Sequence, residues 1–149
     1  MIRSDLALVA ENMPRPKSVS DESQSKRARR IHITFTDEQE QYRATLRRFM
    51  TEKSPPTEVR RQMETDEGYD PEVWKQMSDQ LGLPGLHIPE QYGGAGFGMV
   101  ELGIVMEEMG RVLLCAPYFS TSVLAANALM NAGTEAQKAR LLPDLASGV

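Results

Sequence analysis

Between residues 36 and 53 the apolar positions Tyr42, Leu46, Phe49 and Met50 recur at i, i+4, i+7 and i+8, the spacing that gathers side chains on one face of an α-helix. Thr36 with Gln39 three residues later has capping-box spacing and marks the start, and Ser54-Pro55-Pro56 stops the helix near Lys53. Thr57 to Gly68 is charged, with only Val59 and Met63 to anchor it, and reads as a short surface helix. Asp70-Pro71 is an N-cap followed by proline at the first helical position. Val73, Trp74, Met77 and Leu81 then form a stripe, with Trp74 the expected core anchor, until Gly82 closes the helix. From Val100 to about Leu114 the chain is apolar on more than one face (Leu102, Ile104, Val105, Met106, Met109, Val112, Leu113), as in a helix buried among others. Pro117 breaks it, and a helix from Ser120 to Ala132 ends at Gly133. Thr134 with Gln137 opens a last helix to about Leu142, where Pro143 is expected to turn the chain. No segment has the sustained period-two alternation of a strand. The pattern predicts an all-α fold of about six helices.

Punctuation is densest at Leu83-Pro84-Gly85-Leu86-His87-Ile88-Pro89-Glu90-Gln91-Tyr92-Gly93-Gly94-Ala95-Gly96. Glycines there permit positive φ and close backbone approach, and Pro84 and Pro89 direct the chain out of the preceding helix. Gly93 to Gly98 precede a helix and so resemble an anion cradle. Their register does not fit G-x-G-x-x-G and no strand precedes them, so a tight interhelical loop is the better reading.

Read with Glu107-Glu108-Met109-Gly110-Arg111 and with the run from Gly133 to Gly148, this loop resembles the N-terminal helical domain of the FAD-dependent acyl-CoA dehydrogenases. The resemblance runs from about Phe35 to Val149. It implies the cofactor FAD and an acyl-CoA substrate: a carboxylate takes the α-proton, the flavin accepts the β-hydrogen as hydride, and trans-2-enoyl-CoA results, the chemistry of fatty-acid β-oxidation. In the family the base is a glutamate of the C-terminal helical domain, and the flavin is held mainly by later domains. On this resemblance the chain is a fragment, a truncated product or a split subunit, inactive alone. It would work as a homo- or hetero-oligomer with a flavin-binding subunit. No catalytic, cofactor-binding or metal-ligating residue is therefore assigned within it.

The segment from Cys115 to Leu124 carries the most functional content, because an interhelical break of small, aromatic and hydroxyl side chains can form the wall of an apolar pocket. The family's corresponding break lines the acyl cavity. Carried over, that implies Tyr118, Thr121 and Leu124 as acyl contacts, with Pro117 shaping the turn; simple packing of the helix pair is the open alternative. A second function, a helical interaction module without chemistry, predicts polar replacement of faces that other domains normally cover. Val100 to Leu114 and Val123 to Met130 remain apolar, which speaks against it.

Other candidate chemistry is thin. Glu101 and Glu108 are two turns apart, roughly 10 Å along a helix, and adjacent Glu107 and Glu108 diverge, so an ion-paired or solvated face with Arg111 is expected. His87 has no carboxylate or thiol in register, Ser120, Thr121 and Ser122 form no nucleophile elbow, and Cys115 is the lone cysteine, which excludes an internal disulfide.

Charge sets off the first segment. Residues 1–33 hold seven Lys/Arg and four Asp/Glu, whereas the rest holds ten and seventeen. That basic, Ser- and Pro-rich segment is expected to be a disordered tail rather than a nucleic-acid footprint, since its basic run lacks aromatic partners. No run approaches the roughly 20 apolar residues of a membrane span, and no signal peptide is recognisable. A cytoplasmic location is expected; a mitochondrial transit peptide stays open, with four acids in the segment against it. With 40% hydrophobic and 26% charged residues the 149-residue chain has the composition of a globular domain.

Overall fold

The computed structural model describes residues 34–149; the basic segment 1–33 lies outside the described residues. Six α-helices follow one another: α1 (Asp37–Lys53), α2 (Pro56–Gln62), α3 (Pro71–Asp79), α4 (Met99–Val112), α5 (Ala126–Ala132) and α6 (Glu135–Ser147). A short 3₁₀ turn at Glu90–Tyr92 lies in the loop before α4, and a π-helical segment, Phe119–Ala125, runs directly into α5. Among the described residues there is no strand, so the all-α expectation holds.

The helix starts form where the capping residues stand. The Thr36 hydroxyl accepts from the Gln39 amide (3.2 Å) while the Gln39 side-chain oxygen accepts from the Thr36 amide (3.0 Å). Thr134 and Gln137 repeat this exchange at α6, and Asp70 accepts from the Glu72 and Val73 amides at α3. Each satisfies amides that a helix start would otherwise leave unpaired, worth about 1 kcal/mol.

The apolar stripes then meet. Tyr42, Leu46, Phe49 and Met50 of α1 pack with Leu102, Ile104, Val105 and Met109 of α4, joined by Met77, Leu83, Leu86 and Tyr118. A smaller cluster of Ile88, Ala126 and Leu142, flanked by Leu129, Met130 and Leu145, holds α5 and α6 against the loop. Trp74 is half-buried beside the main cluster, and its indole N–H donates to the Gly148 carbonyl (2.9 Å). It thereby ties the C-terminal end of α6 to α3.

Several expected bounds are corrected: the helix expected from Thr57 to Gly68 spans only Pro56–Gln62, because the following charged residues bury no apolar face, and that expected from Val100 to Leu114 spans Met99–Val112. α6 does not stop at Leu142 but continues through Pro143 to Ser147, where Gly148 (φ 78°) caps it and the Val149 amide donates to the Asp144 carbonyl. An interior proline forgoes one helix bond, at a cost of about 3 kcal/mol, which burial of Leu142 and the Trp74 tie offset. The helix expected from Ser120 to Ala132 is π-helical in its first half. In the second segment, Met63 is 76% exposed and Gln62 is buried instead, its amide donating to Glu58.

Candidate functional site

The glycine loop closes on itself. The amides of Ala95, Gly96 and Phe97 donate to the carbonyls of Gly85, Ile88 and Leu86, and those of Gly93 and Gly94 donate to Glu90 and Pro89. A Cβ on Gly94 would sit 2.0 Å from the Ile88 carbonyl oxygen. Glycine is required there by proximity, and these amides are already engaged within the protein. The glycine stretch thus keeps no free amides to cradle the pyrophosphate of a flavin, in keeping with its reading as an interhelical loop.

The α1–α4 seam holds one fully buried carboxylate. Glu108 accepts from Arg47 through both oxygens (2.9 and 2.6 Å) and from Arg111 Nε (2.9 Å), with Arg43 at 3.5 Å. The Arg47 hydrogen bonds, followed by the one from Arg111, hold its carboxyl down at a pKa of about 2 against the opposing effect of burial. The expected ion pair with Arg111 is present, joined by two arginines from α1. Arg43 also pairs with Glu107 (2.8 Å), and its guanidinium lies 4.4 Å from the Phe35 ring centroid. Glu101 accepts from Gln39 and from the Gly98 amide. These carboxylates are structural ties, and Glu108, enclosed and with a pKa of about 2, is too weakly basic to act as a general base at neutral pH.

After α4 the chain turns at Leu113, whose φ of 52° is left-handed and whose side chain is 68% exposed. Pro117 is half-buried and its carbonyl accepts from the hydroxyls of Ser120 (2.9 Å) and Thr121 (2.7 Å). Along the π-helical segment the Ala126 amide reaches back five residues to the Thr121 carbonyl. The Asn127 and Asn131 side chains donate to the carbonyls of Val123 and Asn127. Hydroxyl and amide side chains thus supply bonds to backbone carbonyls around a helix wider than an α-helix.

The four residues expected at a pocket wall separate on this framework. Leu124 is 54% exposed and Thr121 half-buried with its hydroxyl engaged by Pro117. Tyr118 is fully buried, its hydroxyl donating to the Leu83 carbonyl (3.2 Å), and burial raises its phenol pKa. Its ring belongs to the main core rather than to a surface. Phe119, which the spacing did not single out, is 53% exposed. Phe119 and Leu124 are five residues apart along a helix whose bonds span five residues, so they stand about one turn from each other. A shallow groove lined by residues including Ser54, Val59, Leu114 and Cys115 contains none of these side chains. Among the described residues no three His, Cys, Asp or Glu side chains converge as metal ligands, and no helix is long and apolar enough to cross a membrane.

Residues 36–149 match the family model described as Acyl-CoA dehydrogenase, N-terminal domain. Acyl-CoA dehydrogenase IpdE2 of Mycolicibacterium smegmatis is 35% identical over 114 residues, which cover 76% of this chain and 35% of that protein. The ChsE4-ChsE5 complex from Mycobacterium tuberculosis has a similar fold, with a TM-score of 0.69 at 27% identity over 77% of this chain and 31% of the matched one. The Tcur3481-Tcur3483 steroid ACAD has a TM-score of 0.67 at 30% identity, over 74% and 30% of the two chains. The chain spans about a third of the length of these relatives. With its helix order, its self-closed glycine loop and this match over 36–149, the chain belongs to the acyl-CoA dehydrogenase family, of which it represents the N-terminal helical domain.

Proposed function

We propose that the chain serves as the N-terminal domain of an FAD-dependent acyl-CoA dehydrogenase, and that its π-helical segment forms one wall of the acyl cavity. The observation that carries this reading is the exposed pair Phe119 and Leu124, held on a segment whose Ser120 and Thr121 hydroxyls are turned back onto Pro117. Such a surface offers an acyl chain apolar contact with few competing donors. Leu124, Phe119 and the Thr121 methyl are the contacts in this reading. Pro117 shapes the turn, and Tyr118 anchors the segment from the core side.

The described residues would contribute shape rather than redox chemistry. Their glycine loop keeps no free amides for a flavin's pyrophosphate, and their enclosed carboxylate is too weakly basic to serve as the base. FAD and the proton-abstracting group therefore come from outside residues 34–149, in this reading either from later parts of the same protein or from a flavin-containing partner subunit in a homo- or hetero-oligomer. Two-component names among the related solved structures are consistent with the second arrangement.

Size-exclusion chromatography of the chain from its native host, followed at 280 and 450 nm, tests this. A yellow peak of high mass containing the chain is the expected result. A colourless monomer would sink the reading in favour of a helical module without redox function.

A further inference from the structure

His87 lies in the glycine loop, 6% exposed, with Nε2 3.3 Å from the Asn127 side-chain nitrogen. That same nitrogen donates to the Val123 carbonyl at 2.7 Å. A carbonyl accepts only from a donor, so this contact fixes the Asn127 amide with its NH2 group toward both partners. An NH2 group cannot accept, so Nε2 must be the acceptor. The imidazole is then neutral with its proton on Nδ1, and Nδ1 is buried without a protein partner. Val123 belongs to the π-helical segment and Asn127 to α5, so the amide bridges the junction between the two helix types.

We propose that His87 and Asn127 are a positioning pair that sets the junction between the π-helical segment and α5, and that the pair holds only while His87 is neutral. A proton on Nε2 would face the Asn127 NH2 group donor to donor. Turning the amide over to accept it would place Oδ1 against the Val123 carbonyl, so one of the two bonds must be lost. The junction is thereby coupled to the charge of one loop histidine. Burial lowers the His87 pKa, and among the described residues no charged side chain contributes to that shift. The inference holds whether or not an acyl chain lies against the segment.

Nitrogen-15 NMR of the labelled full chain tests it, with imidazole and backbone amide shifts followed from about pH 7.5 to about pH 5, across the range in which histidine titrates. The expected tautomer is Nδ1–H, with a His87 midpoint below the ordinary 6.5. Amides of residues 119–127 should move with that same midpoint. In His87→Gln the glutamine oxygen keeps an acceptor for Asn127, so the neutral-pH amide pattern should persist and its pH response vanish. Asn127→Asp presents an acceptor and a negative charge to the imidazole, so the His87 midpoint should rise. An Nε2–H tautomer at neutral pH, amides of 119–127 that ignore the His87 titration, or an unchanged pH response in His87→Gln would each overturn the proposal.

Discussion

Glu108 is a carboxylate with no exposed side-chain surface, and guanidinium groups from two helices share it. Its pKa falls from the ordinary 4.5 to about 2 on folding. The associated stability is fully present above 4.5 and is lost as pH falls from there through 2; the difference corresponds to about 3 kcal/mol. Glu108→Gln should therefore lower the unfolding free energy by about 3 kcal/mol at pH 7. The gap between variant and parent should shrink to under about half of that at pH 3, as read from urea midpoints at unchanged m-value. Leu113 predicts the opposite sign. Its left-handed backbone costs a side chain about 1 kcal/mol, and an exposed leucine recovers little of it by packing. Leu113→Gly should raise stability by about 0.5 kcal/mol, the strain relieved less the extra freedom glycine gives the unfolded chain, with thermal unfolding as the measure. Sequence spacing paired Glu108 with Arg111 because the two share a turn. It could not pair Glu108 with Arg43 and Arg47, which lie over 60 positions earlier and meet it only because α1 packs on α4.

At the level of elements, starts were legible and ends were less so. Thr36, Asp70 and Thr134 act on amides two or three residues away, so the caps are written locally and appear where spacing put them. Pro143 is also a local signal, and it was overridden because Leu142, Leu145 and Ala146 pack against the second cluster and Trp74 grips the helix end. Two substitutions separate these effects. Pro143→Ala restores a helix amide at an exposed site and should stabilise the chain by about 1 kcal/mol or more. Trp74→Phe deletes the bond to Gly148 and should cost about 1 kcal/mol, with faster hydrogen exchange confined to the last turns of α6. The π-helical start of the helix after Pro117 had no periodic signature. Its apolar and small residues suit either helix type, and side-chain bonds from Ser120, Thr121 and Asn127 accompany the wider form.

For the whole molecule, the decisive feature is the apolar surface that six helices leave uncovered. Phe119, Leu124, Leu113, Met99 and Val100 are all exposed, and where such side chains adjoin they favour association. Light scattering on the isolated chain should detect self-association, and Phe119→Ser with Leu124→Ser should reduce it while helical circular dichroism is kept. Unchanged association in the double variant would locate the contact elsewhere. By itself the sequence determined the helical class, the number of helices, the capped starts at Thr36, Asp70 and Thr134, the closed nature of the glycine loop and the family, because periodicity, caps and glycine spacing act over a few residues. The tertiary structure alone decided what faces what. It turned Tyr118 into the core and left Phe119 outside, joined Glu108 to the arginines of α1, carried α6 past its proline and set His87 against Asn127. Each of these outcomes depends on surfaces brought together across tens of residues, where packing and burial outweigh any local preference.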